Sequence, residues 1–147
     1  MKITFDANIF IARKLAETDL PGNFYLSAIV LQELVAGAPD EAVIKQLGTV
    51  RRVYEKAGRV LIPTLEDWWI VGTVINSLQR GRRSGKTHLI PKISIEERYR
   101  ITSDVLIART ARRAGVTVIT DNVADFEKIK KFCAVRIISG DDYFGKS

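Results

Sequence analysis

Apolar residues fall along this chain in short blocks, and the spacing inside the blocks switches between the period of a strand and that of a helix. Lys2-Ile3-Thr4-Phe5-Asp6 reads as a short strand ending at Asp6, and Ile9 to Leu15 has helical spacing. Phe24-Tyr25-Leu26-Ser27 predicts a second strand. Val30, Leu31, Leu34 and Val35 then repeat at helical spacing until Gly37 and Pro39 stop the helix, which places Glu33 on it. Asp40 can cap a further helix running to about Ala57, and Gly58 with Val60-Leu61-Ile62 before Pro63 predicts a short strand. Thr64, with Glu66 and Asp67 in the first turn, opens a helix through about Gln79.

The segment from Arg80 to Lys92 contains two glycines and a proline and reads as a loop. Helical pattern resumes at Glu96 or, more firmly, at Thr102-Ser103, which puts Asp104 in a first turn ahead of Leu106, Ile107, Thr110, Ala111 and Ala114. Gly115 can end that helix. Val116 to Thr120 predicts a strand, Val123 to Phe132 a short helix, and Val135 to Ile138 a last strand.

Strands alternating with helices imply parallel strands joined by crossovers. The expected fold is therefore α/β, a three-layer α/β/α sandwich around a central, mainly parallel sheet. In such sheets functional residues gather at the carboxyl ends of the strands. Asp6 and Thr120-Asp121 occupy those ends, and Glu33, Asp104 and Asp125 lie in helices that begin at the same edge. Acids scattered through the sequence can meet there in one pocket.

Composition narrows the chemistry. With 147 residues and 46% hydrophobic content, the chain supports one compact core, and a single domain over 1–147 is expected. No stretch approaches the roughly 20 apolar residues of a membrane-spanning helix. The apolar start is interrupted by Asp6 and Asn8, unlike a secretory signal, so a cytoplasmic location is expected. Cys133 and His88 are each alone in the sequence, which excludes an internal disulfide and leaves too few nitrogen and sulfur ligands for zinc. A Ser-His-Asp system would need His88, which sits in the polar segment GRRSGKTHLIPK with no visible partner acid. The carboxylates remain.

Lysine and arginine number 23 against 17 acids, a formal charge of +6 that favours a polyanionic partner. The charge is also concentrated. No acid occurs between Asp67 and Glu96, whereas Arg80, Arg82, Arg83, Lys86 and Lys92 do, so Arg80, Arg82, Arg83 and Lys86 are candidate contacts to nucleic-acid phosphates.

Taken singly, an Asp after a strand or at a helix start is explained by backbone N–H bonds or the helix dipole. Glu33 is harder to explain that way. It falls between Leu31 and Leu34-Val35 on a mainly apolar helix, where an unpartnered carboxylate is costly to bury. Hard cations such as magnesium take oxygen ligands, and three or four clustered carboxylates repel one another until a metal or protons neutralise them.

Four segments, FDANIFI around Asp6, SAIVLQELVAG around Glu33, SDVLIARTARRAG around Asp104 and VTVITDNVADF around Asp121 and Asp125, occur in this order across nearly the whole chain. Together they resemble the PIN-domain nucleases, and within them the VapC-type toxins of bacterial and archaeal toxin–antitoxin pairs. The resemblance implies a PIN-like fold and a ribonuclease that uses Mg²⁺ or Mn²⁺, with one or two ions held by Asp6, Glu33 and Asp104. It implies a fourth acid as well. The family often carries that acid where this chain has Asn122, so Asp121 and Asp125 both stand as candidates for the catalytic and metal-binding set. Asn8, Thr120 and Asn122 are expected to orient ligating carboxylates or water. A cation in such a site lowers the pKa of water and polarises phosphate, and a neighbouring carboxylate accepts the proton. The resemblance further implies cleavage of single-stranded or looped RNA to 5′-phosphate and 3′-hydroxyl ends, a homodimer, and a cognate antitoxin that blocks the acidic pocket.

Three other readings compete. Gly81-Arg-Arg-Ser-Gly85-Lys86-Thr87 resembles a phosphate-binding P-loop but has three residues between its glycines rather than four, and a helical segment precedes it. FDANI with Gly140-Asp141-Asp142 resembles the motifs of haloacid-dehalogenase-like phosphatases, with Asn8 in place of their second Asp. A non-catalytic RNA-binding or partner-binding module is the third, motivated by Asn122. Trp68-Trp69, at the start of an amphipathic helix, are expected to pack in the core or an interface.

Overall fold

A computed structural model describes residues 1–16, 19–83 and 92–145. In chain order the elements are β1 (Ile3–Phe5), α1 (Ala7–Ala12), β2 (Leu26–Ser27), α2 (Ala28–Ala36), α3 (Glu41–Ala57), β3 (Val60–Leu61), α4 (Leu65–Arg83), α5 (Ile95–Ala114), β4 (Thr117–Thr120), α6 (Val123–Ile129), β5 (Ile137–Ser139) and α7 (Gly140–Phe144).

Helix boundaries follow the caps. The Asp40 carboxylate accepts from the Val43 amide at 3.0 Å to open α3, and Gly58 closes it with a φ of 69°, a left-handed conformation that glycine adopts without a Cβ clash. Gly115 does the same for α5 at φ 68°. Two expectations change. The Ser94 hydroxyl accepts from the Glu97 amide at 3.1 Å and starts α5 at Ile95, so Asp104 lies in the middle of a long helix rather than in a first turn. Helix α4 runs through Arg83, so Arg80 to Arg83 are helical rather than loop. Gly81 costs only about 1 kcal/mol relative to alanine in a helix, less than the packing of α4 along α5 can offset.

The strands form one parallel arrangement. β1, β4 and β5 pair in that order, β2 pairs with β3, and a parallel bridge between Ile3 and Phe24 joins the two sets into the sequence β3-β2-β1-β4-β5. From β1 the chain builds outward to one side through β2 and β3, then returns to build the other side through β4 and β5. The order reverses between β1 and β4. In open α/β sheets the crevice outside such a reversal is where ligands bind, because the helices on either side leave in opposite directions.

Helices cover both faces, giving the three-layer α/β/α sandwich expected. α5 lies across β2, β3 and β4 and is flanked by α4 and α6. Phe5 meets α1 and α7 through Phe10, Tyr143 and Phe144, with ring centroids 5.6–5.9 Å away, and packs on Phe24 at 5.1 Å. Burying a ring of this size contributes about 1.5–3 kcal/mol, so this cluster fixes the end of β1 that carries Asp6. Trp68 and Trp69 do not join the core: they are 51% and 72% exposed, because α4 turns other residues, Val71 and Val74, inward. No helix among the described residues is long and apolar enough to cross a membrane.

Candidate carboxylate site

Asp6 leaves the end of β1 and caps α1. One of its oxygens accepts from the Ala7 amide at 2.8 Å, and the other accepts from the Thr120 hydroxyl at 2.9 Å and the Asn8 amide at 3.2 Å. Thr120, at the end of β4, also accepts from the Asn122 amide at 3.0 Å, while Asn8 accepts from the Asp121 amide at 3.2 Å. The ends of the two strands that flank the reversal are thereby tied together through side chains. Asn8 and Thr120 orient Asp6 directly, whereas Asn122 touches the network through its backbone.

The other acids come from helices. Glu33, half-buried in α2, has its carboxylate hydrogen-bonded by Ser103 of α5. Asp104 follows Ser103, and Asp125 stands in the first turn of α6. These carboxylates feel one another. Burial pushes Asp104 up to about 8, reinforced by Asp6, Asp125 and Glu33, with Arg100 opposing. Burial likewise raises Asp6, against its hydrogen bonds from Thr120, Ala7 and Asn8 and with a further push from Asp125. Glu33 is raised by burial and by Asp6, and Ser103 opposes the shift. Among the described residues, no three of these side chains already enclose a common point as a finished cation cage. What the cluster has is a set of hard oxygen donors whose charges oppose each other, the condition that a divalent cation relieves.

Asp121 is placed differently. Its carboxylate faces Arg13, which bridges it at 3.4 Å to Asp141 at 2.9 Å, and the same guanidinium lies over the Phe144 ring at 5.0 Å. Gly140 makes this possible: a Cβ there would fall 2.3 Å from the Asp121 carboxylate and 2.6 Å from the Arg13 guanidinium. Gly140-Asp141-Asp142 is thus the opening of α7, capped by the Ser139 hydroxyl at 3.0 Å from the Asp142 amide, and Asp141 is engaged by Arg13. That employs the motif in holding the C-terminal helix, which the phosphatase reading did not foresee.

Sequence reasoning overlooked Ser103, treating it as a helix-start signal. Its signal was positional, since it stands one residue before Asp104 and, on a helix begun at Ser94, faces the core at 8% exposure. Arg13 was also missed. Of the basic candidates, Arg80 is exposed on α4, and Arg82 and Arg83 continue that helix. Lys86, His88 and the remainder of the P-loop-like string lie outside the described residues.

Parallel strands with Asp6 at their reversal, beside Glu33 and Asp104 on neighbouring helices, are the geometry of the site. The chain is 28% identical over 151 residues to ribonuclease VapC1 of Rickettsia felis, covering 96% of this chain and all of that protein. No family model matches the sequence. Among solved structures, it shares its fold with VapBC-1 of nontypeable Haemophilus influenzae, at a TM-score of 0.54 and 22% identity, covering 95% of this chain and 98% of that one. The FitAB complex bound to an IR36 DNA fragment gives a TM-score of 0.52 and 20% identity over 93% and 94% of the two chains.

Proposed function

We propose that this chain is a metal-dependent endoribonuclease of the VapC type, the toxin of a toxin–antitoxin pair, with Asp6, Glu33, Asp104 and Asp125 as its cation-binding carboxylates. The observation that carries the reading is Asp104, half-buried beside three other acids and, among the described residues, in no ion pair with a cation. Asp125 is preferred to Asp121 as the fourth acid because it acts on both Asp6 and Asp104, whereas Asp121 is engaged by Arg13. The ribonuclease VapC1 relative and the VapBC and FitAB neighbours support RNA as substrate and an antitoxin as partner.

A bound Mg²⁺ or Mn²⁺ would neutralise the cluster and polarise a phosphate oxygen. The residues supply the rest. Thr120 and Asn8 hold Asp6 in one orientation, and Ser103 favours the ionised form of Glu33. A carboxylate beside the bound ion, Asp104 among them, would be placed to accept the proton of the attacking water. A purified chain is expected to cut RNA with Mn²⁺, leaving 5′-phosphate ends, and to stop on chelation or on Asp6→Asn. Full cleavage by Asp6→Asn would end this assignment. The reading as a non-catalytic module draws on the absence of a finished cage among the described residues. Calorimetry decides between them, since that module binds no Mn²⁺.

A further inference from the structure

A cavity of about 500 Å³ opens beside the carboxylates, and Asp104 and Asp125 are part of its lining. The same lining carries two cations. Arg100 stands one helical turn before Asp104 on α5, and Lys128 follows Asp125 on α6 with its ammonium 3.8 Å from that carboxylate. Leu78, Ile101 and Ile129 supply an apolar wall, and Glu97 is the remaining lining residue.

A phosphodiester approaching four carboxylates meets repulsion on every side that the cation does not cover. Cations on the flank of the site remove that repulsion, and both here are exposed. Among the described residues, Arg100 has no acid within ion-pair distance, so its charge is available to a ligand. The cavity volume falls in the roughly 300–1,000 Å³ range of small-molecule sites and accommodates one nucleotide.

We propose that this cavity is a nucleotide subsite: Arg100 and Lys128 hold a phosphate next to the scissile bond, and the Leu78, Ile101 and Ile129 wall takes the ribose and base of an unpaired nucleotide. The proposal rests on the ribonuclease reading. A base stacked inside a duplex cannot turn into the wall, so the substrate is RNA that is single-stranded at this position. The wall has no side-chain hydrogen-bonding groups, so it accepts a base without reading its identity.

The test is fluorescence anisotropy with a labelled oligouridylate of about eight nucleotides, on the Asp6→Asn background. Replacing Arg100 and Lys128 together by alanine is expected to weaken binding on the order of tenfold or more. The slope of log affinity against log salt should fall by about 1.4, or roughly 0.7 for each lost contact to a single strand, and Arg100→Lys should restore most of its share. A duplex of the same length should bind more weakly than the single strand. Unchanged affinity and slope, or a duplex bound as tightly, would overturn the subsite. Cleavage of the same oligonucleotide by the intact chain with Mn²⁺ is measured in parallel. Cleavage with an unchanged salt slope removes the subsite and keeps the nuclease, whereas a reduced slope without cleavage does the reverse.

Discussion

Asp67, on α4 and paired to α5, and Asp104, on α5 itself, are acids that end in opposite states. Asp67 is fully buried, yet Arg113, the Thr64 amide and Arg109 outweigh the effect of burial and hold it down to about 2. Its carboxylate accepts from Thr64 at 2.8 Å and Arg109 at 2.8 Å, and it pairs with Arg113 as well. Asp104 is pushed up to about 8, by burial first and then by three other acids, against Arg100 alone. Burial alone therefore does not mark a functional acid. The fold neutralises the carboxylate that ties α4 to α5, and leaves the one near the sheet reversal without a paired cation among the described residues.

The sharpest way to break that contrast is to remove each acid and read both activity and stability. Asp104→Asn should reduce Mn²⁺-dependent cleavage by at least about 10³-fold, since it removes a group that helps hold the charge-stabilising ion. Without divalent cation, urea unfolding of the same variant should show stability unchanged or raised, because the folded chain no longer has either to hold a proton there or to bear a repelled charge. Asp67→Ala should do the opposite. It strands two arginines and a helix cap, and is expected to cost about 2–4 kcal/mol in the same urea experiment.

The pH dependence of stability separates the two further. The pKa of Asp67 is depressed, so its contribution is present above the unfolded value near 4 and is lost as pH falls toward about 2. That of Asp104 is raised, so its contribution is complete below about 4 and is lost as pH climbs through about 8. Asp104 in the cation-free protein should therefore cost thermal stability progressively between about pH 4 and pH 8, a contribution that Asp104→Asn abolishes. A smaller effect is expected at Thr120→Val, which deletes a hydrogen bond to Asp6. Mn²⁺ affinity should drop about tenfold while the melting temperature moves little. Equal affinity would mean that Thr120 only fastens β4 to β1.

Much of this contrast was legible in the sequence, and the illegible part has a common cause. Asp6 and Glu33 were singled out because a strand end and an acid in an apolar helix stand out locally, and the alternation of periods gave the parallel sheet. Asp104 was singled out by motif but placed wrongly on its helix, because Ser94, the true cap of α5, lies ten residues earlier beside a run of mixed loop signals. The choice between Asp121 and Asp125 was beyond local reasoning. It turns on Arg13 and Asp141, 108 and 20 residues away from Asp121, and on the space left by Gly140. Asp67 looked like an ordinary first-turn acid, since nothing near it in sequence announces Arg109 and Arg113. The exposure of Trp68 and Trp69 was likewise invisible, because the inward face of α4 is set by its tertiary packing.

The central claim is that Asp6, Glu33, Asp104 and Asp125 form an incomplete electrostatic unit completed by a divalent cation. Calorimetric titration of the intact chain with Mn²⁺ at about pH 8, beside Asp6→Asn and Asp67→Asn, tests it most directly. The account predicts saturable binding by the intact chain and by folded Asp67→Asn, with binding lost in Asp6→Asn. Absence of Mn²⁺ binding by the folded intact chain, or equal binding by Asp6→Asn, would contradict it.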